Sequence, residues 1–219
     1  MMRKTDRAGR KRQRKVNTRE QSFEPMLIIT EGTNTEIAYF TSIKEHIQER
    51  FKENLIVDKI DIDLKGTGRG TMEVVNHARK SKNRHTYSDV WVVFDKDDFP
   101  DFDDAIKVAT REDFSVAWSN QSFELWYLLH FQDVATSMDN RALTEKLSVH
   151  LQRTGIIAGG YSKTFPISYD DLKANVHVAV GRSEKLMERY REEKKTLQSK
   201  MNPATTVHEL VGKLLPYLE

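Results

Sequence analysis

One short segment determines the predicted architecture of the chain: Val90-Trp91-Val92-Val93-Phe94-Asp95-Lys96-Asp97-Asp98. Its run of β-branched and aromatic residues predicts a strand buried within a sheet. Acids close the strand, and the two-residue period of a strand places Asp95 and Asp97 on one side if the strand extends that far. Carboxylates gathered where a buried strand ends suit a hard divalent cation such as Mg²⁺. An exposed acidic loop explains these residues equally well.

A second acid follows another short apolar strand. Residues 26–30 predict the strand, Glu31 and Gly32 come next, and apolar residues at helical spacing predict a helix over residues 33–50. Glycine allows the tight turn between strand and helix. Glu31 is therefore expected at the carboxyl edge of the sheet, where open α/β sheets bind ligands. Glu36 could support the same site, although the helix macrodipole alone favours an acid there.

A third acid occupies a comparable place. Residues 114–118 predict a strand, and the helix after it has Ser122 as a candidate N-cap and Glu124 in its first turn. The helix macrodipole also explains Glu124. Three acids at the ends of strands nevertheless favour a shared site over three unrelated surface acids.

Strands and helices alternate through the first half of the chain. A further strand is predicted over residues 55–64, and helices are predicted near residues 71–82 and 103–110. This order predicts an α/β fold with a mostly parallel sheet of about four strands flanked by helices. Beyond residue 135 only helices are predicted, over these ranges: 141–153, 169–199, with Gly181 as a candidate break, and 205–218.

The chain therefore divides into three predicted regions. Residues 1–22 form a basic arm that lacks the apolar residues needed for packing and is expected to be disordered. Residues 23–135 form the α/β domain, and residues 136–219 form a helical C-terminal subdomain packed on it.

Composition narrows the class of protein. The chain has no cysteine, which excludes disulfides, cysteine-bound zinc and thiol catalysis. It has no apolar stretch of about 18 residues, so no membrane span is expected. The basic N-terminus lacks the apolar segment of a secretory signal. Cytoplasmic residence is the default expectation.

Charge is distributed unevenly along the chain. Residues 1–20 carry nine basic and two acidic side chains, whereas residues 21–135 carry 13 basic and 21 acidic ones. The arm suits binding to the phosphate backbone of DNA or RNA, although a solubilising tail is an equal alternative. Gly66–Thr71 is a glycine-rich segment whose sequence suits phosphate contact or a plain turn. The candidate nucleic-acid contacts are Arg10, Lys11, Arg12, Arg14, Lys15 and Arg69.

Together these residues resemble a Toprim domain, the fold shared by topoisomerases, primases and OLD-type nucleases. Its signature is a glutamate after the first strand and Asp-x-Asp after a later one, matched here by Glu31 and by Asp95-Lys96-Asp97. More narrowly, the chain resembles the RloB-like family of bacterial defence-associated proteins. Four segments carry this resemblance: Ile29-Thr30-Glu31-Gly32-x-x-Thr35-Glu36-x-x-Tyr39-Phe40, Val92-Val93-Phe94-Asp95-Lys96-Asp97, Ser119-Asn120-x-x-Phe123-Glu124-x-Trp126-x-Leu128-Leu129-His130-Phe131 and Asn202-Pro203-x-Thr205-Thr206-x-His208.

The resemblance implies a Mg²⁺- or Mn²⁺-dependent nuclease that hydrolyses phosphodiester bonds in an anti-phage or restriction-linked defence system. It implies that Glu31, Asp95 and Asp97 bind metal and act in catalysis, and that Glu124 is a further metal ligand. OLD-type enzymes also use a lysine, for which Lys163 is the candidate, although a solvated surface lysine is the simpler interpretation. The resemblance further implies a separately encoded ATPase partner, because this chain has no Walker motif.

Two other functional interpretations of the sequence remain. The chain could be a non-catalytic nucleic-acid-binding or regulatory subunit of a complex that contains an ATPase, with the basic arm supplying the contacts. It could also be a polymerase or primase, since Toprim domains serve nucleotidyl transfer, but no dedicated nucleotide-binding or zinc module is evident. The sequence leaves the choice between DNA and RNA, and the oligomeric state, open.

Overall fold

A computed structural model describes residues 25–32, 34–51, 55–59, 71–82, 87–165 and 167–219. Its first half alternates strands and helices in this order: β1 (Met26–Thr30), α1 (Thr35–Phe51), β2 (Leu55–Lys59), α2 (Met72–Lys82), β3 (Asp89–Asp95), α3 (Phe102–Arg111), β4 (Ser115–Asn120) and α4 (Glu124–Leu129). The second half contains α5 (Asn140–Arg153), α6 (Tyr169–Leu172), α7 (Val176–Glu192), β5 (Ala204–Thr205) and α8 (Val207–Leu214). Short 3₁₀ turns cover Lys173–Asn175, Gln198–Lys200 and Leu215–Tyr217.

The strands form one sheet in the order β2-β1-β3-β4-β5. The first four strands are parallel, and β5 pairs with β4 in the antiparallel direction. The predicted α/β fold with a mostly parallel sheet and a helical C-terminal region is confirmed. From β1 the chain moves outward to β2 on one side and then to β3 on the other, so the strand order reverses between β1 and β3. Open α/β sheets bind ligands outside the carboxyl ends of strands at such a point.

Successive side chains of each strand point to opposite faces of the sheet, so the core has one part on each face. One face presents Met26, Ile28, Trp91 and Val93, which pack in a cluster with α1, α4, α5, α7 and α8. The opposite face presents Leu27, Ile29, Val90 and Val92, which pack against α2 and α3. The helices of the C-terminal region thus share a continuous core with the sheet, and loops of that region can reach the carboxyl ends of its strands.

Several details differ from the sequence predictions. The predicted break at Gly181 is wrong, because α7 runs through this residue without interruption. The predicted helix over residues 169–199 is instead divided by the 3₁₀ turn at Lys173–Asn175, and its helical part ends at Glu192. The last helix begins at Val207 rather than 205, because Ala204–Thr205 pairs with the edge of β4. Residues 60–64 of the predicted second strand lie outside the described part of the chain.

Among the described residues, no helix combines the length and the apolar character that crossing a membrane requires.

Candidate functional site

Glu31 and Asp95 meet at the point where the strand order reverses. Glu31 follows β1, and its backbone N–H donates to the carbonyl of Val93 at 2.9 Å, which extends the pairing of β1 with β3. Asp95 is the last residue of β3, and its backbone N–H donates to Oε2 of Glu31 at 3.3 Å. Both side chains are less than a tenth exposed. The two parallel strands therefore place two buried carboxylates side by side.

Asp97 reaches the same region by a turn. Strand β3 ends at Asp95, so strand alternation does not orient Asp97. Its φ of 33° lies in the left-handed region, and its N–H donates to the carbonyl of Gln121 at 3.2 Å. Its carboxylate accepts a hydrogen bond from Nδ2 of Asn140, at the start of α5, at 2.7 Å. The turn after β3 is thus joined both to the segment after β4 and to the helical region.

Glu36 points back over the glycine that precedes its helix. A Cβ atom built on Gly32 would lie 1.9 Å from Oε2 of Glu36, so only glycine leaves room for this carboxylate. Glu36 is 4% exposed, although it lies in the first turn of a helix, where acids usually face solvent. The structure therefore brings Glu36 into the acidic cluster, a role that the sequence favoured less than simple stabilisation of the helix end.

Glu124 enters the cluster from the first position of α4 and is 1% exposed. Its Oε1 accepts a hydrogen bond from the hydroxyl of Tyr161 at 3.1 Å, and its Oε2 lies 3.6 Å from Nζ of Lys163. The predicted N-cap at Ser122 is wrong, because Phe123 occupies the cap position without a side-chain hydrogen bond. The loop between α5 and α6 thus supplies the hydroxyl and the ammonium group that face the Glu124 carboxylate.

Burial controls the protonation of these acids. Burial, together with the nearby carboxylates of Glu36 and Asp97, raises the pKa of Glu31 to about 8, although a hydrogen bond from the backbone of Asp95 lowers it. Burial and the charge of Glu124 raise the pKa of Glu36 to about 7. Burial and neighbouring acids also raise the pKa of Asp95 well above its usual range. At neutral pH part of this cluster is therefore protonated when no cation is bound, and a bound cation would stabilise the ionised carboxylates.

The cluster also includes a positive charge. Burial alone would lower the pKa of Lys163, but Glu124, Asp95 and the other nearby acids raise it overall. Lys163 stays charged at neutral pH and offsets part of the acidic charge.

The donor set fits a hard divalent cation. Oδ1 of Asp95 and Oε2 of Glu124 are buried oxygens without a hydrogen-bond partner in the described structure. Such oxygens suit Mg²⁺, which prefers carboxylate ligands. Within the described ranges, no three acid or histidine side chains converge as a metal-ligand group in their present orientations. Shared coordination would require the carboxylates to turn toward one another.

Sequence reasoning missed two residues that contact the cluster. One is Tyr161, which lies two positions before Lys163 and which the sequence did not indicate. Asn140 gives no local signal, because an asparagine at a helix start is ordinarily read as a capping residue. His130 is buried beside the cluster's helix: its Nδ1 lies 2.9 Å from the carbonyl of Trp126, and burial lowers its pKa to about 4.

The predicted nucleic-acid contacts lie outside the described residues, so their role stays a prediction: Arg10, Lys11, Arg12, Arg14, Lys15 and Arg69.

Comparison with known families gives one match. The family described as RloB-like protein matches residues 26–214, which include every acid of the cluster as well as Asn140, Tyr161 and Lys163. No curated protein and no solved structure matches the chain.

Proposed function

This chain belongs to the RloB-like family, and from that premise we propose that it is a Mg²⁺-dependent nuclease that hydrolyses phosphodiester bonds in DNA or RNA. The observation that carries the proposal is that a buried carboxylate oxygen of Asp95 and another of Glu124 lack hydrogen-bond partners in the described structure, at the carboxyl edge of the sheet where the strand order reverses. The resemblance to Toprim nucleases supports the reaction type, and the resemblance to defence-associated proteins supports a role in anti-phage defence.

In this proposal Glu31, Asp95, Asp97 and Glu124 hold Mg²⁺ or Mn²⁺. The bound metal would supply activation of a water molecule and stabilisation of the leaving oxygen. Lys163 presents a positive charge at the mouth of the cluster, where it can meet the anionic phosphate; its side chain is half exposed.

Two further side chains support the proposed ligands. Tyr161 donates to Glu124 and fixes the orientation of that carboxylate. Glu36 lies close enough to Glu31 and Asp95 to raise the pKa of both, and in its ionised form it strengthens the attraction for a cation.

The alternative proposal is a non-catalytic nucleic-acid-binding or regulatory subunit of a complex with a separately encoded ATPase. The net charge of the first 20 residues, nine basic against two acidic side chains, favours it. Such a subunit would bind nucleic acid in a salt-sensitive manner that metal chelation does not change.

The experiment compares the wild-type protein with Asp95→Asn, Asp97→Asn and the control Asp98→Asn. Asp98 is an exposed acid of the same turn, so its substitution changes the same charge outside the buried cluster. Each protein is incubated with plasmid DNA, single-stranded DNA and total tRNA, in Mg²⁺, Mn²⁺ or EDTA. The reactions are run with and without the neighbouring ATPase where one is encoded.

We expect metal-dependent cleavage by the wild type and by Asp98→Asn, and none by the other two variants. Salt-sensitive binding that neither EDTA nor Asp95→Asn alters, without cleavage of any substrate, would replace the nuclease proposal with the binding-subunit alternative.

A further inference from the structure

Asn140 connects the helical region with the turn that carries Asp97. It is the first residue of α5, and its Nδ2 donates to Oδ1 of Asp97, 43 residues earlier in the chain, at 2.7 Å. The carboxylate of Asp97 accepts hydrogen bonds and has no proton to give when it is ionised, so the nitrogen of the amide must face it. The charge of Asp97 therefore fixes which way the Asn140 amide points.

This orientation leaves the other end of the amide unpaired. Oδ1 of Asn140 is buried and has no hydrogen-bond partner in the described part of the chain. A buried acceptor without a donor is unfavourable for stability. The Asn140 amide thus keeps its hydrogen bond to Asp97 although its own oxygen lacks a donor. Residues that depart from a local stability rule in this way often serve function.

The helix itself does not need the Asn140 side chain. The N-cap of α5 is Asp139, whose Oδ1 accepts a hydrogen bond from the backbone N–H of Ala142 at 2.8 Å. The neighbouring Asp139 therefore performs the capping role that an asparagine in this position often has, and the Asn140 amide is available to Asp97.

Asp97 is held from several directions. Its backbone is left-handed, a conformation that persists only where surrounding contacts impose it. Its N–H donates to Gln121, and its carbonyl accepts a hydrogen bond from Nζ of Lys96 at 3.1 Å. These two contacts fix the backbone, whereas Asn140 fixes the carboxylate.

We propose that Asn140 is a positioning residue that restrains the Asp97 carboxylate, so that the other acids of the cluster need only turn toward it to share a divalent cation. The inference rests on the proposed function only in taking Asp97 as a metal ligand. Residues that orient a ligand from outside the coordination sphere typically change metal affinity about 10–100-fold when they are removed.

The test measures Mn²⁺ affinity directly, by the loss of the free Mn²⁺ electron paramagnetic resonance signal. The proteins are the wild type, Asn140→Ala, Asn140→Leu, Asp97→Asn and the double variant Asn140→Ala with Asp97→Asn. Leucine keeps the volume of the side chain but cannot donate. Asp139→Ala is the matched control, because it removes the helix cap and leaves the contact with Asp97 intact. Thermal unfolding of every variant is followed in parallel.

We expect both Asn140 variants to bind Mn²⁺ about 10–100-fold more weakly than the wild type, with no further loss in the double variant relative to Asp97→Asn. Asp139→Ala should unfold at a lower temperature while it keeps the wild-type affinity. Unchanged affinity in both Asn140 variants, or a further loss in the double variant, would overturn the inference alone. A wild type that binds no Mn²⁺ would overturn the proposed metal site and this inference with it.

Discussion

Nζ of Lys163 lies 3.6 Å from Oε2 of Glu124, so a half-exposed lysine of one loop faces an almost fully buried acid of α4. This oxygen has no hydrogen-bond partner in the described structure, whereas Oε1 of the same carboxylate accepts from Tyr161. Tyr161 thus holds one oxygen of the Glu124 carboxylate, whereas the other oxygen can engage a cation or a substrate. Lys163 also places a positive charge, half exposed to solvent, beside the acidic cluster.

Replacing Lys163 with methionine should lower cleavage without weakening metal binding. Charged groups that face a transferring phosphoryl group typically contribute about 100-fold or more to the rate. Removing a cation from beside the acids also removes repulsion toward Mn²⁺, so the Kd for Mn²⁺ should stay equal or fall. Cleavage rates and Mn²⁺ titrations of Lys163→Met measure the two effects separately.

Lys146→Met is the matched control, because this lysine is exposed on α5. If Lys163→Met cleaves as fast as the control, the lysine has no part in the reaction.

The stability of the metal-free protein should fall as the pH rises. The pKa of Glu31 is about 8 in the folded state against an ordinary value of 4.5, so between these values the folded state binds more protons than the unfolded state. The free energy of unfolding therefore decreases with pH across this window, by on the order of a few kcal/mol. Glu36 and Asp95 act in the same direction. Urea unfolding in EDTA, at roughly one-unit steps between pH 5 and pH 9, measures the free energy of unfolding at each pH.

Glu31→Gln should flatten this dependence, whereas Glu192→Gln, at an exposed position of α7, should leave it unchanged. Mg²⁺ should stabilise the wild type more at pH 8 than at pH 6, because a cation binds the ionised carboxylates. A wild-type stability that rises with pH in EDTA would contradict the assignment of buried, protonated acids.

Gly32→Ala should displace Glu36 rather than unfold the chain. The added Cβ would lie 1.9 Å from Oε2 of Glu36, an overlap that the end of this side chain can relieve only by leaving its place. We expect a loss of roughly 1–3 kcal/mol in the free energy of unfolding, as for other overpacked sites. In a Glu36→Ala background the same substitution should have little effect. Chemical unfolding of the two single variants and the double variant gives the coupling energy.

Gly159→Ala serves as the control, since a Cβ there would meet no atom within 4 Å. An equal loss from Gly32→Ala in both backgrounds would show that the turn itself, and not Glu36, requires glycine.

Tyr127→Phe should destabilise the junction between α1 and the C-terminal region. The buried hydroxyl lies 2.9 Å from the carbonyl of Thr35 and 2.8 Å from that of Ile167, and its single proton serves one of them at a time. Losing this donor should lower the free energy of unfolding by about 1–3 kcal/mol, because buried carbonyls are left unsatisfied. Urea unfolding measures the change, and a loss below about 0.5 kcal/mol, the usual range for surface substitutions, would contradict the predicted role.

The acids at the strand ends were predictable because the signals around them are local. The apolar run Val90–Phe94 favours a strand buried within the sheet, and the residue after such a strand is expected at the carboxyl edge of the sheet. The same reasoning applied to Glu31. Lys163 was only a candidate, since its loop has no periodic pattern, and the structure now places it beside Glu124.

The contacts that shape the cluster were not predictable from such patterns. The pairing of Asn140 with Asp97 spans 43 residues, and that of Tyr161 with Glu124 spans 37. Both depend on how α5 and the loop after it pack against the sheet, for which neighbouring residues in sequence carry no information. The pairing of β5 with β4 is likewise too short to produce a strand period.

By itself, the sequence determined the four parallel strands, their helical connections, the acids at their carboxyl ends and the membership in a family. These features follow from the two-residue and 3.6-residue periods and from the burial of apolar side chains, which act over short stretches of chain. The tertiary structure alone decided which of the acids are buried together, which oxygens lack partners and which distant residues orient them. Desolvation and charge interactions depend on separation in space, and only the packing of the helices on the sheet sets that separation.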